Sequence, residues 1–380
     1  MPSMPKKVMI LAGEVSGDLH AASLIQELKT LQRETFFFGM GGPRMAEAGV
    51  VLDQDITQIA VVGFAEVLKK LPTFWKLFQT LLQKAKTERP DVVILVDNPG
   101  FNLRFAKAVR PFTQKIIYYI SPQIWAWNSR RIYLIKRLVD KMIVIFPFEE
   151  KLYREAGVNV TFVGHPLLDR IKPTQHRTTL LKGVPNDRRL IGILPGSREK
   201  EVERHLPILI EASEILSQKI QNLHFLIFKS PALPASLYLP SMKGRVPRTL
   251  IDKDPEYEYR NLIEFALVAS GTATLETAIL EKPMVIVYKT SFLTYLLARN
   301  LIRIPYIGMV NVVAGKKIVP ECLQFEAIPQ KIAQETENYL RDPGKMAGIQ
   351  EELRRVKQSL GSPGASSRAA QEILHVLSET

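Results

Sequence analysis

The stretch ILAGEVSGDLHAASLIQEL, residues 10–28, has the pattern of a buried strand, a tight polar loop and an amphipathic helix. In an α/β protein such a loop commonly holds an anion, because backbone N–H groups at the start of the helix point into it. This loop lacks the three-glycine dinucleotide fingerprint, and its formal charges, Glu14 and Asp18, are both negative. The stretch therefore predicts an α/β fold and leaves open what the loop holds.

Strand-length apolar runs alternate with helical patterns along almost the whole chain. Near-continuous Val and Ile runs are typical of strands buried on both faces, and their alternation with helices predicts parallel strands joined by crossovers. The pattern stops near Asp169 in a polar stretch with two prolines, restarts at 190–194, and reaches a Gly/Pro/Ser break before one last helix. We predict two doubly wound α/β domains in tandem, with ligands bound in a cleft between them, beyond the carboxyl ends of the strands.

The composition is that of an ordinary globular protein, with 380 residues of which 46% are hydrophobic and 23% charged. A single cysteine, Cys322, excludes an internal disulfide framework and fits a reducing compartment. The N-terminus is expected to be a first strand and not a signal peptide, and no run of about 18 apolar residues predicts a membrane span. A cytoplasmic location is therefore predicted.

The charge balance favours anionic partners. Lysine and arginine number 51 against 38 aspartate and glutamate residues, which gives a net charge of +13 at pH 7. Such a surplus suits nucleic acid, acidic lipid surfaces or phosphorylated substrates. A solvated surface rich in lysine explains it equally well, so the charge alone does not decide.

One strand–loop–helix junction of the second half lies in IGILPGSREKEVERHL, residues 191–206. Gly196 and Ser197 allow a ligand to approach the backbone closely, and Arg198 stands where the next helix begins. A guanidinium beside a helix N-terminus makes a good diphosphate site. The alternative is a Gly-Ser turn with an exposed arginine.

The second junction lies in LVASGTATLETAILEKPMVIVY, residues 267–288. A strand ends at Ser270–Thr272 and a helix begins at once, so several unpaired N–H groups and two hydroxyls face one point. Glu276 follows one turn later on the same side, where it could accept hydrogen bonds from a ribose diol; an N-cap followed by an ordinary helical glutamate is the alternative. Together with the Arg198 loop, this junction favours nucleotide binding by the second half.

Three features of the first half carry polar or aromatic side chains. In DVVILVDNPGFN, residues 91–102, Asp97 directly follows a buried strand, which suits a general base or a substrate acceptor, although Asx-Pro-Gly is also an ordinary turn. In SPQIWAWNSRR, residues 121–131, tryptophans beside arginines indicate either a nucleic-acid stacking platform or packing. His165 has no second histidine or cysteine at ligand spacing, so no metal site is predicted there.

The stretch VVGFAEVLKKLPTFWKLFQTLL, residues 61–82, combines an aromatic apolar stripe at helical spacing with lysines. Pro72 is expected to divide it into two helices. A basic amphipathic helix with aromatics has the composition of a membrane-surface element, and core packing is the open alternative. Residues 291–309 have a similar character.

A series of short motifs is spread over essentially the whole chain. In order, they are AGEVSGD, SPQIWAW, FPFE, VGHP, LPGSREKEV, SGTATLE, NVVAG, VPECLQ and GASSRAA. Together these motifs resemble the lipid-A-disaccharide synthase family. One departure is visible: that family commonly has Asp-x-Pro-Asp-Phe-Asn where this chain has DNPGFN. Gly100 thus replaces the second acidic residue, while Asp97 and Asn102 remain. The departure puts in doubt a role for that second carboxylate.

The resemblance implies a GT-B fold and an inverting glycosyltransferase. Its reaction would join UDP-2,3-diacylglucosamine to 2,3-diacylglucosamine 1-phosphate in a β-1,6 linkage and release UDP. Residues 1–169 would form a Rossmann-like domain facing the acceptor and the membrane, residues 186–360 would bind the UDP-sugar, and a C-terminal helix over 366–380 would pack back on the first domain. The implied partners are the two lipid substrates and the anionic inner face of the bacterial cytoplasmic membrane, with no nucleic acid; a homodimer stays open. Neither a cofactor nor a metal ion is expected.

The resemblance also suggests roles for the candidate residues. Asp97 is expected to be the general base for the acceptor 6-hydroxyl, and Arg198 to stabilise the departing UDP, work that a metal ion does in other transferases. The opening loop is expected to bind the sugar or phosphate end of the acceptor, or the donor diphosphate, with Glu14 and Asp18 orienting or capping it. The substrate-binding candidates are Glu14, Ser16, Gly17, Asn102, Gly196, Ser197, Ser270, Gly271, Thr272, Glu276 and Asn311.

The sequence leaves two rival functions open. A UDP-sugar 2-epimerase shares the expected fold, but it would not need the apolar stretch at 61–82. A basic nucleic-acid-binding protein without enzymatic activity would explain the charge and the Trp-Arg cluster, but not the Arg198 and Ser270 junctions.

Overall fold

The structure is a computed structural model that describes residues 6–55, 71–127, 129–171, 181, 183–301 and 304–378. The chain divides into two compact units, one of residues 1–166 and 360–380 and the other of residues 167–359. Each unit is built on one parallel β-sheet with helices between the strands. This confirms the prediction of two parallel-sheet α/β domains.

The sheet of the first unit has the strand order β3-β2-β1-β4-β5-β6-β7. Its strands are β1 (Lys7–Ala12), β2 (Phe36–Gly41), β3 (Val51–Asp55), β4 (Val92–Val96), β5 (Lys115–Tyr119), β6 (Lys141–Val144) and β7 (Val160–Phe162). The helices along the same stretch are α1 (Val15–Leu31), α2 (Pro43–Glu47), α3 (Leu71–Glu88), α4 (Pro99–Val109), α5 (Ile124–Trp127), α6 (Arg131–Leu138) and α7 (Pro147–Glu155). Every residue of β4 is buried, as the unbroken VVILV run predicts for a central parallel strand.

The sheet of the second unit has the order β10-β9-β8-β11-β12-β13. Its strands are β8 (Arg189–Leu194), β9 (Leu223–Phe228), β10 (Arg248–Ile251), β11 (Phe265–Ala269), β12 (Met284–Tyr288) and β13 (Glu321–Leu323). Its helices are α8 (Leu167–Arg170), α9 (Glu199–Lys219), α10 (Glu258–Leu262), α11 (Thr272–Ile279), α12 (Phe292–Leu301), α13 (Met309–Ala314), α14 (Pro329–Leu340) and α15 (Pro343–Ser359).

Both sheets reverse their winding direction at one place. In the first unit β1 pairs with β2 on one side and with β4 on the other, and in the second unit β8 pairs with β9 and with β11. Ligands of doubly wound sheets bind at this switch point, outside the carboxyl ends of the two central strands. The fold therefore selects the loops after β1 and β4 in one unit, and those after β8 and β11 in the other.

The last helix, α16 (Ala365–Ser378), belongs to the first unit although it follows the second in sequence. Glu372 accepts from the Lys141 Nζ at 2.7 Å, and the Arg368 Nε donates to the backbone oxygen of Val163 at 2.8 Å. These contacts tie the chain's end to β6 and to the end of β7, as the resemblance to a GT-B transferase implies.

The helix α3 covers only part of the predicted amphipathic stretch. Pro72 lies in its first turn, where a missing N–H costs nothing, and residues 61–70 lie outside the described residues. Within the described part of the chain, no helix is both long enough and apolar enough to cross a membrane.

Candidate active site

The switch point of the first unit brings two polar loops into contact. Gly13 comes directly after β1, and Asn98 is the second residue after β4. A Cβ at Gly13 would lie 2.0 Å from the Nδ2 of Asn98 and 2.9 Å from the Cβ of Asn98. Only glycine allows this approach. The approach also brings the Glu14 carboxylate within electrostatic range of Asp97.

The backbone at Asp97 is strained and held in place. Asp97 and Asn98 have φ values of 50° and 41°, a left-handed conformation that Asp and Asn tolerate better than other side chains. The buried Asn102 Nδ2 donates to the backbone oxygens of Val96 at 3.1 Å and Asp97 at 2.8 Å, and the Tyr118 hydroxyl also donates to the Asp97 oxygen. Asn102, predicted to bind substrate, is instead fully buried, and its side chain holds the backbone of the turn that carries Asp97.

The surroundings of Asp97 make it a stronger base than an ordinary aspartate. Burial above all, and then the charge of Glu14, raise the pKa of Asp97 to about 6, while the backbone N–H of Asn98 opposes the rise. A carboxylate with this pKa is still ionised at pH 7, and its affinity for a proton is close to what general-base catalysis at that pH needs. Gly100, two residues beyond Asn98, has open space around its Cβ position, so the missing acidic side chain leaves no structural gap.

The loop after β1 divides its polar residues between two tasks. Glu14 and Ser16 are exposed at the start of α1, and Gly17 is buried. Asp18 is buried and caps a different helix: its Oδ1 accepts from the backbone N–H groups of Gly42 at 2.8 Å and Met45 at 3.0 Å, at the N-terminus of α2. Glu14 and Ser16 are therefore the side chains of this loop that are placed to meet a ligand.

A buried carboxyl group that the sequence does not predict lies near Asp97. Glu149, in the first turn of α7, is 1% exposed, and its Oε1 accepts from the Trp125 Nε1 at 3.0 Å. Its Oε2 accepts no regular hydrogen bond within the described residues. Burial, aided by the charge of Asp97, raises the pKa of Glu149 to about 7. Trp125 is thus a hydrogen-bond donor to a buried acid. The one signal for Glu149 in the sequence is that it ends the FPFE motif, which is among the motifs that resemble the family.

The raised pKa of Glu149 predicts a pH-dependent cost to stability. The unfolded chain releases this proton near pH 4.5, whereas the folded chain keeps it to about pH 7. Between these values the folded state binds more protons, so stability falls as the pH rises, by about 3 kcal/mol in total at ~1.4 kcal/mol per pH unit. Urea denaturation should show the Glu149→Gln variant gaining on the wild type between pH 4.5 and pH 8. The exposed Glu155→Gln serves as control, and an equal pH dependence in all three proteins would contradict the assignment.

The loop after β8 wraps around a carboxylate of its own helix. Glu201 in the first turn of α9 accepts from the backbone N–H groups of Ser197 at 3.1 Å and Arg198 at 3.2 Å, and its other oxygen lies 3.0 Å from the Arg198 Nη1. Gly196 has a φ of 130°, and a Cβ there would lie 2.7 Å from the Glu201 Cβ. An internal anion thus engages the N–H groups and the guanidinium that the sequence predicts for a diphosphate.

The loop after β11 exposes the start of a short helix. The Ser270 Oγ donates to the backbone oxygen of Ile307 at 3.2 Å, while Gly271 and Thr272 are exposed where α11 begins. With the loop after β8, this junction flanks the switch point of the second sheet. The predicted nucleotide residues are therefore brought together at one edge of the sheet.

Glu276, predicted to bind ribose, lies in a cluster of charged and aromatic groups. Its Oε1 accepts from the Tyr257 hydroxyl at 3.0 Å, and its Oε2 pairs with the Arg260 Nη1 at 2.5 Å. The Arg260 guanidinium also lies 5.0 Å from the centre of the Tyr257 ring. A ribose would have to share Glu276 with these two partners.

Asn311 has an internal task in this structure. Its side chain is fully buried, its Nδ2 donates to the Val319 oxygen at 2.9 Å and to the Glu321 Oε1 at 2.8 Å, and its Oδ1 accepts from the N–H groups of Ile318 and Val319 at 2.9 and 3.0 Å. The amide is therefore saturated, and a contact with a substrate would require these bonds to be exchanged. Among the side chains that the structure describes, no group of three or more His, Cys, Asp or Glu is arranged to hold a metal ion.

Comparison with known proteins adds family relationships to this geometry. Residues 8–376 match the family model described as lipid-A-disaccharide synthetase. The chain is 41% identical over 374 residues to the lipid-A-disaccharide synthase of Geobacter metallireducens, covering 98% of this chain and 97% of the relative. It is 43% identical over 368 residues to the enzyme of the same name from Syntrophus aciditrophicus, covering 96% of each.

Solved structures with little sequence similarity share the fold. A UDP-GlcNAc 2-epimerase from Neisseria meningitidis, bound to UDP-GlcNAc, superimposes with a TM-score of 0.64 at 14% identity, covering 97% of this chain and 100% of that one. A calicheamicin glycosyltransferase does so with a TM-score of 0.64 at 14% identity, covering 98% of each chain. At this identity the likeness concerns the fold alone, which transferases and epimerases share.

Proposed function

The chain belongs to the lipid-A-disaccharide synthase family, and on that premise we propose how its own residues perform the transfer. The enzyme is a glycosyltransferase that condenses UDP-2,3-diacylglucosamine with 2,3-diacylglucosamine 1-phosphate and releases UDP. The observation that carries the residue assignment is Asp97, a largely buried carboxylate with a raised pKa, held on a strained turn at the switch point of the first sheet.

Asp97 acts as the general base of a single inverting displacement. The acceptor 6-hydroxyl gives its proton to the Asp97 carboxylate as its oxygen attacks the anomeric carbon of the donor. The bond from that carbon to the β-phosphate oxygen breaks, and UDP leaves with the electron pair. Glu14 strengthens Asp97 as a base through its negative charge, and Asn102 holds the backbone of the turn from which Asp97 projects.

The second unit binds and stabilises the departing diphosphate. The diphosphate replaces the Glu201 carboxylate in this loop. Its negative charge is then stabilised by the N–H groups of Ser197 and Arg198 and by the Arg198 guanidinium. The exposed N-terminus of α11, at Gly271 and Thr272, adds further donors. Glu276 accepts hydrogen bonds from the ribose hydroxyls in place of one of its present bonds to Tyr257 and Arg260.

Purified protein would test this function directly through UDP release. We expect release from UDP-diacylglucosamine only when diacylglucosamine 1-phosphate is present, with one UDP formed per disaccharide. Release without the acceptor, or loss of donor with formation of a 2-epimer, would instead support an epimerase. Salt-sensitive binding to nucleic acid without UDP release would support the non-enzymatic alternative.

We also propose that the first unit attaches the enzyme peripherally to the anionic inner face of the cytoplasmic membrane. Trp75 on α3 is 66% exposed, stacks on Phe78 at 6.1 Å between ring centres, and has the exposed Lys76 beside it. An exposed indole next to a cation suits the interface of an anionic bilayer. Substrates with two acyl chains make such attachment useful, because they reside in the membrane.

Replacing Trp75 should weaken binding to vesicles. We expect Trp75→Ser to reduce the affinity for vesicles containing anionic phospholipid at least roughly tenfold, since burying one large apolar side chain contributes about 1.5–3 kcal/mol. The control is Leu239→Ser, which removes a 55% exposed apolar side chain of the second unit. Co-sedimentation with vesicles measures the effect, and equal affinities for Trp75→Ser and the wild type would contradict a membrane role of α3.

A further inference from the structure

An exposed apolar patch lies on the second unit beside the loops of the proposed nucleotide site. On α12, Phe292 is 65% and Leu296 47% exposed, and they stand one helical turn apart on one face. Phe325, which follows β13, is 67% exposed, and its ring packs edge-on against Tyr295 of α12 with 5.7 Å between centres. Large apolar side chains grouped in one exposed patch mark a site of contact with a ligand, a partner or a membrane.

The patch is joined to the loop after β8 by one buried histidine. The His205 Nδ1 lies 3.0 Å from the backbone oxygen of Pro195, just before Gly196, and its Nε2 accepts from the Lys289 N–H at 3.0 Å, three residues before Phe292. Gln324 fixes the other side through two hydrogen bonds of 3.1 Å with the backbone of Thr290. Hydrogen bonds through His205 thus link the loop after β8 to the segment that leads into α12.

The topology places both features at the same edge of the sheet. The patch follows β12 and β13, whereas the nucleotide junctions follow β8 and β11, and the strand order is β8-β11-β12-β13. All these strands are parallel and lie about 5 Å apart, so their carboxyl ends form one row. A ligand with a diphosphate at one end of this row and apolar chains extending along it would reach Phe292 and Phe325.

We infer that the patch formed by Phe292, Tyr295, Leu296 and Phe325 binds the acyl chains of the sugar-nucleotide donor. The inference rests on the proposed function, in which the donor carries two acyl chains on the sugar next to the diphosphate. The patch covers those chains while UDP occupies the loops after β8 and β11, and it selects an acylated donor over UDP-sugars without chains.

The test compares donors of different chain length in the Phe292→Ser and Phe325→Ser variants. We expect the KM for the long-chain UDP-diacylglucosamine to rise roughly tenfold for each variant, in line with the loss of one buried aromatic contact. The KM for a short-chain donor and the inhibition constant of UDP should stay at wild-type values, because neither needs the patch. Leu239→Ser, in the same unit, is the matched control and should change none of these constants.

Other occupants of the patch would give different results. Equal KM increases for long-chain and short-chain donors, or unchanged KM values, would overturn the inference. A fall in vesicle affinity without a change in chain-length preference would make the patch a membrane surface, and loss of a dimer in sedimentation would make it a contact with a second copy; either result overturns the inference. Failure of the wild type to release UDP would instead overturn the proposed function itself.

Discussion

Replacement of Asp97 by asparagine is expected to reduce kcat at least about 100-fold and by as much as 10⁴-fold, the range over which a general base contributes. Asparagine fits the left-handed φ of 50° at this position, and the side chain keeps its shape while losing its affinity for a proton. The effect should appear in acceptor-dependent UDP release, with the inhibition constant of UDP unchanged. Asp91→Asn, at the opposite end of the same strand, is the control for removal of a carboxylate.

The pH profile gives an independent check on Asp97. Because its pKa is raised to about 6, kcat/KM should fall tenfold per pH unit below that value. Glu14→Gln removes one cause of the raised pKa, so the acidic limb of the profile should move to lower pH. An acidic limb that stays in place in Glu14→Gln, or an Asp97→Asn variant with full activity, would assign the base to another residue.

The fold was accessible from the sequence because parallel sheets bury whole strands. Runs such as VVILV at 92–96 stand out against polar loops, and the alternation with helical patterns defines the crossovers. The residues at strand ends follow from the same pattern: Asp97 and the loops at 196–198 and 270–272 could be chosen because ligands bind at that edge. What the pattern predicts is position along the chain and not partners across it.

Partners across the fold account for what the sequence could not predict. Glu149 looked like one of many helical glutamates, and only the placement of Trp125 and Asp97 around it makes it a buried acid. The NVVAG motif predicts a substrate contact for Asn311, yet its four hydrogen bonds are all to residues 318–321, which no spacing rule predicts. The Glu276 cluster likewise depends on Arg260 and Tyr257, sixteen or more positions earlier in the chain.

In the loop after β8, the Glu201 carboxylate accepts the hydrogen bonds that a diphosphate would need. This occupancy does not exclude a nucleotide at the loop. A carboxylate offers one negative charge to these N–H groups, whereas a diphosphate offers two or more and several oxygens, so the substrate is the stronger ligand. Until it arrives, Glu201 holds the N–H groups and the Arg198 guanidinium in the arrangement that an anion requires.

Replacement of Arg198 by glutamine is therefore expected to lower kcat/KM by about 100- to 1,000-fold, the effect of removing one preorganised donor from a developing negative charge. The inhibition constant of UDP should rise as well, because UDP carries that charge after the transfer. Arg198→Lys keeps the charge but loses the two-pronged donor geometry of the guanidinium. Its kcat/KM should therefore lie between those of the wild type and of Arg198→Gln.

Lys200→Gln separates this local effect from the general field of the protein. Lys200 lies two residues further along, exposed in the first turn of α9, and its replacement removes the same unit of positive charge. If Arg198 binds the diphosphate directly, Lys200→Gln should keep near wild-type kcat/KM, since exposed charges are screened within about 10 Å at 0.1 M salt. Equal losses of kcat/KM in Arg198→Gln and Lys200→Gln would mean that Arg198 acts only through its charge, as the other surplus cations do. A loss confined to Arg198 would mean that its position beside Glu201, and not its charge alone, prepares the site for UDP.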